Sequence, residues 1–252
     1  MSADLILKAS NISKSFGALR ACSNIDLDIK AGEIHAIIGP NGAGKSTFIK
    51  QLTGEQKSDE GSVELLGQNI NALSATKRAR TGMARTFQIS SLAADFSALE
   101  NVMLAVQGAS GSSFNFFKSV SNDKNLLEPA MEFLTQAGLK ERSSIKASQL
   151  SHGERRQLEF AMALAMKPKV FLMDEPMAGI GPGGSKTLTG ILDKLREQAP
   201  ILLVEHDMEA VFSLADRITV LVEGRNFATG TVAQIRKNQG VRDAYLGQES
   251  EL

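Results

Sequence analysis

Ile34-His-Ala-Ile-Ile38 runs straight into Gly39-Pro40-Asn41-Gly42-Ala43-Gly44-Lys45-Ser46, and this stretch decides the fold. The first five residues read as a buried strand, and the next eight match the phosphate-binding pattern G-x-x-x-x-G-K-[ST] in full. A helix is expected from about Ser46 to a stop near Gly54. In such a strand–loop–helix unit the glycines let backbone N–H groups surround phosphate oxygens, and the helix start adds partial positive charge. On this reading Lys45 reaches the β- and γ-phosphates of a nucleotide and the Ser46 hydroxyl ligates Mg²⁺. A glycine turn with a chance lysine is the plainer alternative, and the strand before and helix after argue against it.

A second acidic stretch supports the first. Val170-Phe-Leu-Met-Asp174-Glu175-Pro176 reads as a buried strand ending in two consecutive carboxylates. Successive strand residues point to opposite faces, so the two acids do one job only if the chain turns there, and Pro176 is expected to supply the turn. Asp174 is then the candidate Mg²⁺ partner and Glu175 the candidate base for an attacking water. Three further features stand in order around them: Gln88 in Arg85-Thr-Phe-Gln88, the run Leu150-Ser-His-Gly-Glu154 before a long helical segment, and His206 after the strand Ile201 to Glu205. Alone, such a glutamine is usually a solvated residue and such a histidine a structural one.

Outward from the loop, short apolar runs alternate with longer helical ones, which argues for an α/β fold with a mainly parallel core sheet. Further strands are expected at Ser62–Leu66, Val170–Met173, Ile201–Val204 and Ile218–Val222. Leu5–Ala9 and Ile25–Ile29 alternate apolar and polar residues with no strong helix between, so an antiparallel N-terminal flap is expected. From Leu99 to Met166 the helical period dominates, broken by the loop-like Gly108–Ser113. Phe114, Phe116 and Phe117 follow it and are read as tucking that loop onto its own domain. The whole reads as one unit over 1–252, with a core of about 1–90 and 167–252 and a helical insertion of about 91–166.

Composition narrows the class. The chain has 252 residues, 42% of them hydrophobic, enough to bury a sizeable core. Lys plus Arg equals Asp plus Glu at 28 each, so a wholly basic surface for nucleic acid is not expected. The single cysteine, Cys22, forms no intrachain disulfide and is read as a small buried apolar residue. The N-terminus lacks the basic and apolar regions of a signal peptide, and no apolar run approaches the roughly 20 residues that span a bilayer. A chain that crosses no membrane, in a reducing compartment, is expected.

Over essentially its whole length the sequence resembles the ATP-binding subunits of ABC transporters. The phosphate loop resembles Walker A, Val170 to Glu175 Walker B, and Leu150 to Glu154 the ABC signature, usually Leu-Ser-Gly-Gly-Gln. Gln88 matches the Q-loop, His206 the switch histidine and Phe16 the aromatic that stacks on adenine. The resemblance implies an α/β P-loop NTPase with an N-terminal antiparallel β subdomain and a helical subdomain insertion, binding ATP and Mg²⁺. It implies nucleotide contacts from Phe16, Gly39, Pro40, Asn41, Gly42, Ala43, Gly44, Lys45, Ser46 and Thr47. Ser46, Gln88 and Asp174 would meet the metal, and Glu175, His206, Lys45 and Gln88 would act in hydrolysis. In the family two such subunits bind ATP head to tail, so Ser151, Gly153 and Glu154 would serve the nucleotide of the partner.

Departures from the pattern point to a subfamily. His152 stands where the signature has glycine and Glu154 where it has glutamine, while Gly181 replaces the aspartate that commonly ends the segment after Walker B. Arg85-Thr-Phe-Gln88, Ala178-Gly-Ile-Gly-Pro182, Val204-Glu-His-Asp-Met208 and Ala244-Tyr-Leu-Gly247 resemble the LivG-type ATPase of branched-chain amino-acid importers, whose relatives move urea or amides. That kinship implies two transmembrane permease subunits, a second, LivF-like ATPase making a heterodimer, an indirectly coupled substrate-binding protein, and a peripheral place on the cytoplasmic face of a bacterial inner membrane. A soluble ABC ATPase acting in assembly, of the iron–sulfur type, is the alternative from another class.

Overall fold

The computed structural model describes residues 5–86, 92–109, 123–178 and 182–244. These fall into two compact units, one made of 1–85, 169–178 and 192–252 and the other of 86–168 and 179–191.

The first unit carries two sheets. Strands β1 (Leu5–Phe16) and β2 (Leu19–Lys30) form a long antiparallel hairpin, and β4 (Glu60–Leu65) with the short β5 (Gln68–Asn69) completes the order β2-β1-β4-β5. The sequence placed Leu66 inside the fourth strand. It instead opens the turn to β5, since Leu66 and Gly67 both take positive φ, as two-residue hairpin turns require. The second sheet runs β10-β9-β3-β8-β7-β6, with β3 (Ile34–Ile38), β6 (Met83–Thr86), β7 (Val170–Asp174), β8 (Ile201–Val204), β9 (Arg217–Val222) and β10 (Arg225–Thr231). The pairs β7–β8, β8–β3 and β3–β9 are parallel, and β10 closes one edge antiparallel.

Strand β3 is buried along its whole length, and its side chains divide between two cores as strand alternation demands. Ile37 joins Ile12, Ile25 and Leu172 around Phe48, Ile49 and Leu52 of α1 (Lys45–Thr53). Ala36 and Ile38 face the other way, toward Val211 of α7 (Met208–Leu214), Ile235 of α8 (Val232–Lys237) and Val241 of α9 (Gln239–Ala244). Burying Phe48 completely is worth about 1.5–3 kcal/mol, so α1 is fixed by its apolar face and its first turn is held beside the loop. Its far end is closed by Gly54 and by buried Arg78 of α2 (Ala75–Arg80). The Arg78 Nη1 donates to Gln51 O at 2.9 Å and to Leu52 O at 2.6 Å, placing a cation on the carbonyl end of the helix dipole.

The second unit is helical. Helices α3 (Ala98–Ala109), α4 (Lys124–Gln136) and α5 (His152–Ala165) share a core of Val102, Met103, Leu134, Leu158 and Ala161. Buried Asn101 ties the preceding chain to α3, accepting from Ala93 N–H at 2.8 Å and donating to Ser97 O at 2.9 Å. Helix α6 covers Pro182–Leu195. Among the described residues no helix is long and apolar enough to cross a membrane. Phe114, Phe116 and Phe117, Gln88 and Gly181 lie outside the described residues.

Candidate functional site

The loop Gly39–Gly44 joins two fully anchored elements, β3 and α1, so its backbone has little freedom. Gly39, at φ 151°, passes so near β9 that an added Cβ would lie 2.1 Å from Leu221 O. Gly44, at φ 93°, would put a Cβ 2.3 Å from Ala21 O of β2. Both positions exclude any side chain, and the second draws β2 against the loop. Gly44 is also the N-cap of α1 and supplies no side-chain cap, so the first-turn N–H groups are left to an external acceptor. The hairpin extending from Ala21 carries Phe16 at its tip, 48% exposed, opposite Leu19.

Lys45 folds back over this loop. Its Nζ donates to Gly39 O at 2.6 Å and to Pro40 O at 3.0 Å. Burial lowers its pKa, while the charges of Glu175 and Asp174 pull the other way. An arriving phosphate therefore replaces neutral carbonyls with a formal anion as the partner of an ammonium that is already desolvated, a stronger pairing.

Asp174 ends β7 near Ser46, whose side chain favours the ionised form of the carboxyl. Burial raises the Asp174 pKa, Arg85 opposes that rise, and the neighbouring Glu175 adds to it. Two oxygen donors of this kind, an aspartate and a serine beside a phosphate loop, suit Mg²⁺, which keeps phosphate and water in its remaining positions. No cluster of three or more His, Cys, Asp or Glu that would form an all-protein cage occurs among the described residues.

The turn after β7 differs from the sequence expectation. The reversal lies at Glu175 itself, which has φ 50°, one residue before Pro176. Glu175 N–H donates to Val204 O at 2.8 Å and Ala178 N–H donates back to Glu175 O at 3.2 Å, so the strained residue is pinned on both sides. The effect is to send the Glu175 side chain out to solvent while Asp174 stays partly buried, so the two acids stand in different surroundings.

Glu205, absent from the sequence-based candidates, organises the rest. It is 1% exposed and accepts from Met177 N–H at 2.8 Å and from His206 N–H at 3.1 Å. It therefore binds the turn after β7 to the loop after β8, and its Oε2 lies 3.7 Å from His206 Nδ1. His206 itself is 64% exposed and available to a ligand. A Glu after four apolar residues gave no sign of this, because its partners are backbone groups 28 residues upstream and one downstream.

In the helical unit Ser151 is the N-cap of α5. Its Oγ accepts from Glu154 N–H at 3.3 Å, and Glu154 Oε2 accepts from Ser151 N–H at 2.8 Å, a reciprocal capping box. The other Glu154 oxygen takes Arg142 Nε–H at 2.7 Å, and this guanidinium holds the carboxyl below its ordinary pKa. Glu154 thus closes the helix start, a task that glutamate performs as well as glutamine. His152 occupies the first helical position without positive φ, so no glycine is demanded there. At Gly153 a Cβ would meet nothing within 4 Å, leaving an open surface beside the Ser151 hydroxyl.

The family profile described as ABC transporter matches residues 22–178, and one described as branched-chain amino acid ATP-binding cassette transporter matches 225–251. The chain is 35% identical over 250 residues to the high-affinity branched-chain amino acid transport ATP-binding protein BraF of Pseudomonas aeruginosa, covering 96% of this chain and 98% of that one. It is 36% identical, with the same coverage, to LivG of Escherichia coli, described in the same words. Among solved structures, the ADP conformation of an ATP-binding cassette of an ABC transporter superposes with a TM-score of 0.83 at 28% identity, covering 96% of this chain and 99% of the other. A phosphate loop, an acidic strand end and a capped signature helix in this order, with relatives alike along nearly the full length, place the chain in the ABC transporter family as an ATP-binding ATPase subunit of the branched-chain amino acid type.

Proposed function

We propose that this ATPase drives an importer of branched-chain or other hydrophobic amino acids, working with two transmembrane permease subunits and a second, LivF-like ATPase. The kinship with BraF and LivG carries the substrate class, since the chain's own site meets only nucleotide. A peripheral place on the cytoplasmic face of the inner membrane follows from attachment through the permeases, and a substrate-binding protein delivers cargo outside.

In this reading the first-turn N–H groups of α1 and Lys45 hold the phosphates of ATP, and Phe16 at the hairpin tip stacks on the adenine. Ser46 and Asp174, with Gln88 as a further contact, would hold Mg²⁺, which would supply positive charge for phosphoryl transfer. Glu175, turned away from Asp174 by its φ of 50°, accepts a proton from the attacking water. His206, steadied through Glu205, donates to the γ-phosphate. Ser151 and Gly153 meet the nucleotide of the partner ATPase, so ATP closes the pair and hydrolysis reopens it.

The observation that carries the hydrolytic reading is the separation of the two acids at the end of β7. Glu175→Gln, which cannot accept the proton, is expected to bind ATP normally and to lose nearly all turnover. The same variant, tagged and purified in ATP from detergent-solubilised membranes, is expected to retain two polytopic permeases and a shorter sister ATPase. Normal steady-state hydrolysis would sink the role of Glu175, and recovery of soluble partners alone would sink the transporter reading. Testing the companion binding protein against leucine, urea and amides identifies the cargo.

A further inference from the structure

Arg85 lies next to last in β6, one residue before the end of the described segment that leads toward Gln88. Its side chain is 9% exposed, and Nε, Nη1 and Nη2 are all buried without a hydrogen bond of normal geometry among the described residues. A guanidinium so placed is costly unless anions face it. Two do. Glu55, just past the end of α1, is in direct ion-pair contact with Nη1, and Asp174 Oδ2 lies 3.9 Å from Nη2. One buried cation is therefore divided between the carboxylate near Ser46 and a second carboxylate with no part in the phosphate chemistry.

The division is unequal. At 3.9 Å the Asp174 contact is longer than a hydrogen bond, so the firm anchor is Glu55, which is also braced by the Thr53 hydroxyl at 3.2 Å. To approach Asp174 more closely, Arg85 has to loosen its hold on Glu55. A cation near Asp174 balances the aspartate's charge before any metal arrives and opposes the metal once it does.

We infer that Arg85 is a positioning residue that sets how tightly Asp174 takes its metal, with Glu55 as the counterweight that holds the guanidinium back. The inference rests on the proposed role of Asp174 as metal partner. It assigns opposite effects to two neighbouring residues: loss of the Arg85 charge tightens metal binding, whereas loss of the Glu55 charge releases Arg85 toward Asp174 and weakens it. Damage to the fold would weaken both.

The test is Mn²⁺ binding, read as loss of the free-ion electron paramagnetic resonance signal, with ADP saturating and the full chain intact. Between a unit charge and a divalent ion about 6–12 Å apart, at water-like dielectric, the interaction corresponds to roughly three- to tenfold in affinity. Arg85→Met is expected to bind Mn²⁺ about three- to tenfold more tightly than wild type and Glu55→Gln about threefold more weakly, with Arg85→Lys restored close to wild type. Shifts of the same sign in Arg85→Met and Glu55→Gln, or no shift in either, overturn the proposal while leaving the metal site standing. Absence of Mn²⁺ binding by the wild-type ADP complex overturns both. Should Arg85→Met fail to fold, Glu55→Gln decides alone, and unchanged or tighter binding there refutes the counterweight.

Discussion

Ser151 carries two burdens that substitution can separate. Its Oγ accepts the Glu154 N–H at 3.3 Å and so caps α5, which leaves the hydroxyl proton as the group that can reach an anion. Ser151→Ala removes both. The lost cap costs about 1 kcal/mol, although the Glu154 carboxylate still accepts the backbone N–H of the substituted residue. For a chain of this size that cost lowers the melting temperature by roughly 2–4 °C. Ser151→Asp instead keeps an N-cap acceptor of equal quality, and Glu154, the nearby like charge, is already neutralised by Arg142 at 2.7 Å. Its stability is expected within about 0.5 kcal/mol of wild type. Yet the aspartate has no proton to give and brings a full charge to the open surface beside Gly153. Two unit anions about 4 Å apart repel by roughly 1–4 kcal/mol between bulk water and a protein surface, some fivefold to thousandfold in affinity. Thermal melts of the isolated chain, beside the ATPase rate of the complex purified from membranes, read the two burdens apart. The expected result is a lower melting point with partial activity for Ser151→Ala, and a normal melting point with activity reduced at least fivefold for Ser151→Asp. An Asp variant that melts and hydrolyses like wild type would refute the idea that this hydroxyl meets phosphate.

Other outcomes follow from single contacts. Lys45→Ala removes the ammonium that the loop carbonyls now hold and is expected to weaken ATP binding at least tenfold in equilibrium titration; unchanged affinity would remove Lys45 from the phosphates. Arg78→Met removes the guanidinium donor from the carbonyls of Leu52 and Leu73 and one of two donors from that of Gln51, costing about 2–4 kcal/mol, and a denaturation midpoint equal to wild type would contradict that. His35 is 1% exposed, its Nδ1–H donating to Asp28 O at 3.0 Å and its Nε2 accepting from the Thr219 hydroxyl at 2.8 Å. Burial lowers its pKa, Glu33 and Asp28 resist, and Arg217 adds to the lowering. The unfolded chain then takes up a proton that the folded one declines, so this contribution is complete above about pH 6.5 and is lost as pH falls below it, at no more than ~1.4 kcal/mol per pH unit. Urea midpoints that fall from pH 7 to 5.5 in wild type and fall less in His35→Gln are expected; parallel curves would discount His35.

The part of this fold read from sequence is the part that local chemistry dictates. The run Ile34–Ile38 has no polar residue but His35, and nothing except a buried strand absorbs it. Gly39 and Gly44 mark the two places where the loop touches β9 and β2, and the pattern supplied both before any contact was known. The antiparallel β1–β2 pair was legible from alternation, yet its length was not. The strands run on through Asn11 and Asn24, whose positive φ angles accompany register shifts that interrupt the alternation without ending the pairing. The box at Ser151 and Glu154 was equally present as Ser-x-x-Glu, but the same residues also fit the signature, and only the hydrogen bonds show that Glu154 spends one oxygen on the helix start and the other on Arg142.

What escaped the sequence is tertiary and ionic. Pro176 looked like the residue that turns the chain after β7, because proline fixes φ and ends strands. The turn is made instead by Glu175, a residue with no intrinsic liking for left-handed backbone, at a cost on the order of 1–2 kcal/mol. That strain persists because Val204 O, Ala178 N–H and, through Met177, the buried Glu205 leave the segment no other path. Had the chain continued extended, Glu175 would have pointed away from Asp174 by simple alternation, but into the layer on the far side of the sheet. The left-handed residue delivers the carboxylate to solvent at the strand's own end, where water arrives. A glycine at this position would relax the backbone and lose the carboxylate proposed as the base, and a proline could not adopt φ 50° at all. A strained residue kept for its side chain accords with the proposed role of Glu175 as the base, since such strain is often stored at functional sites.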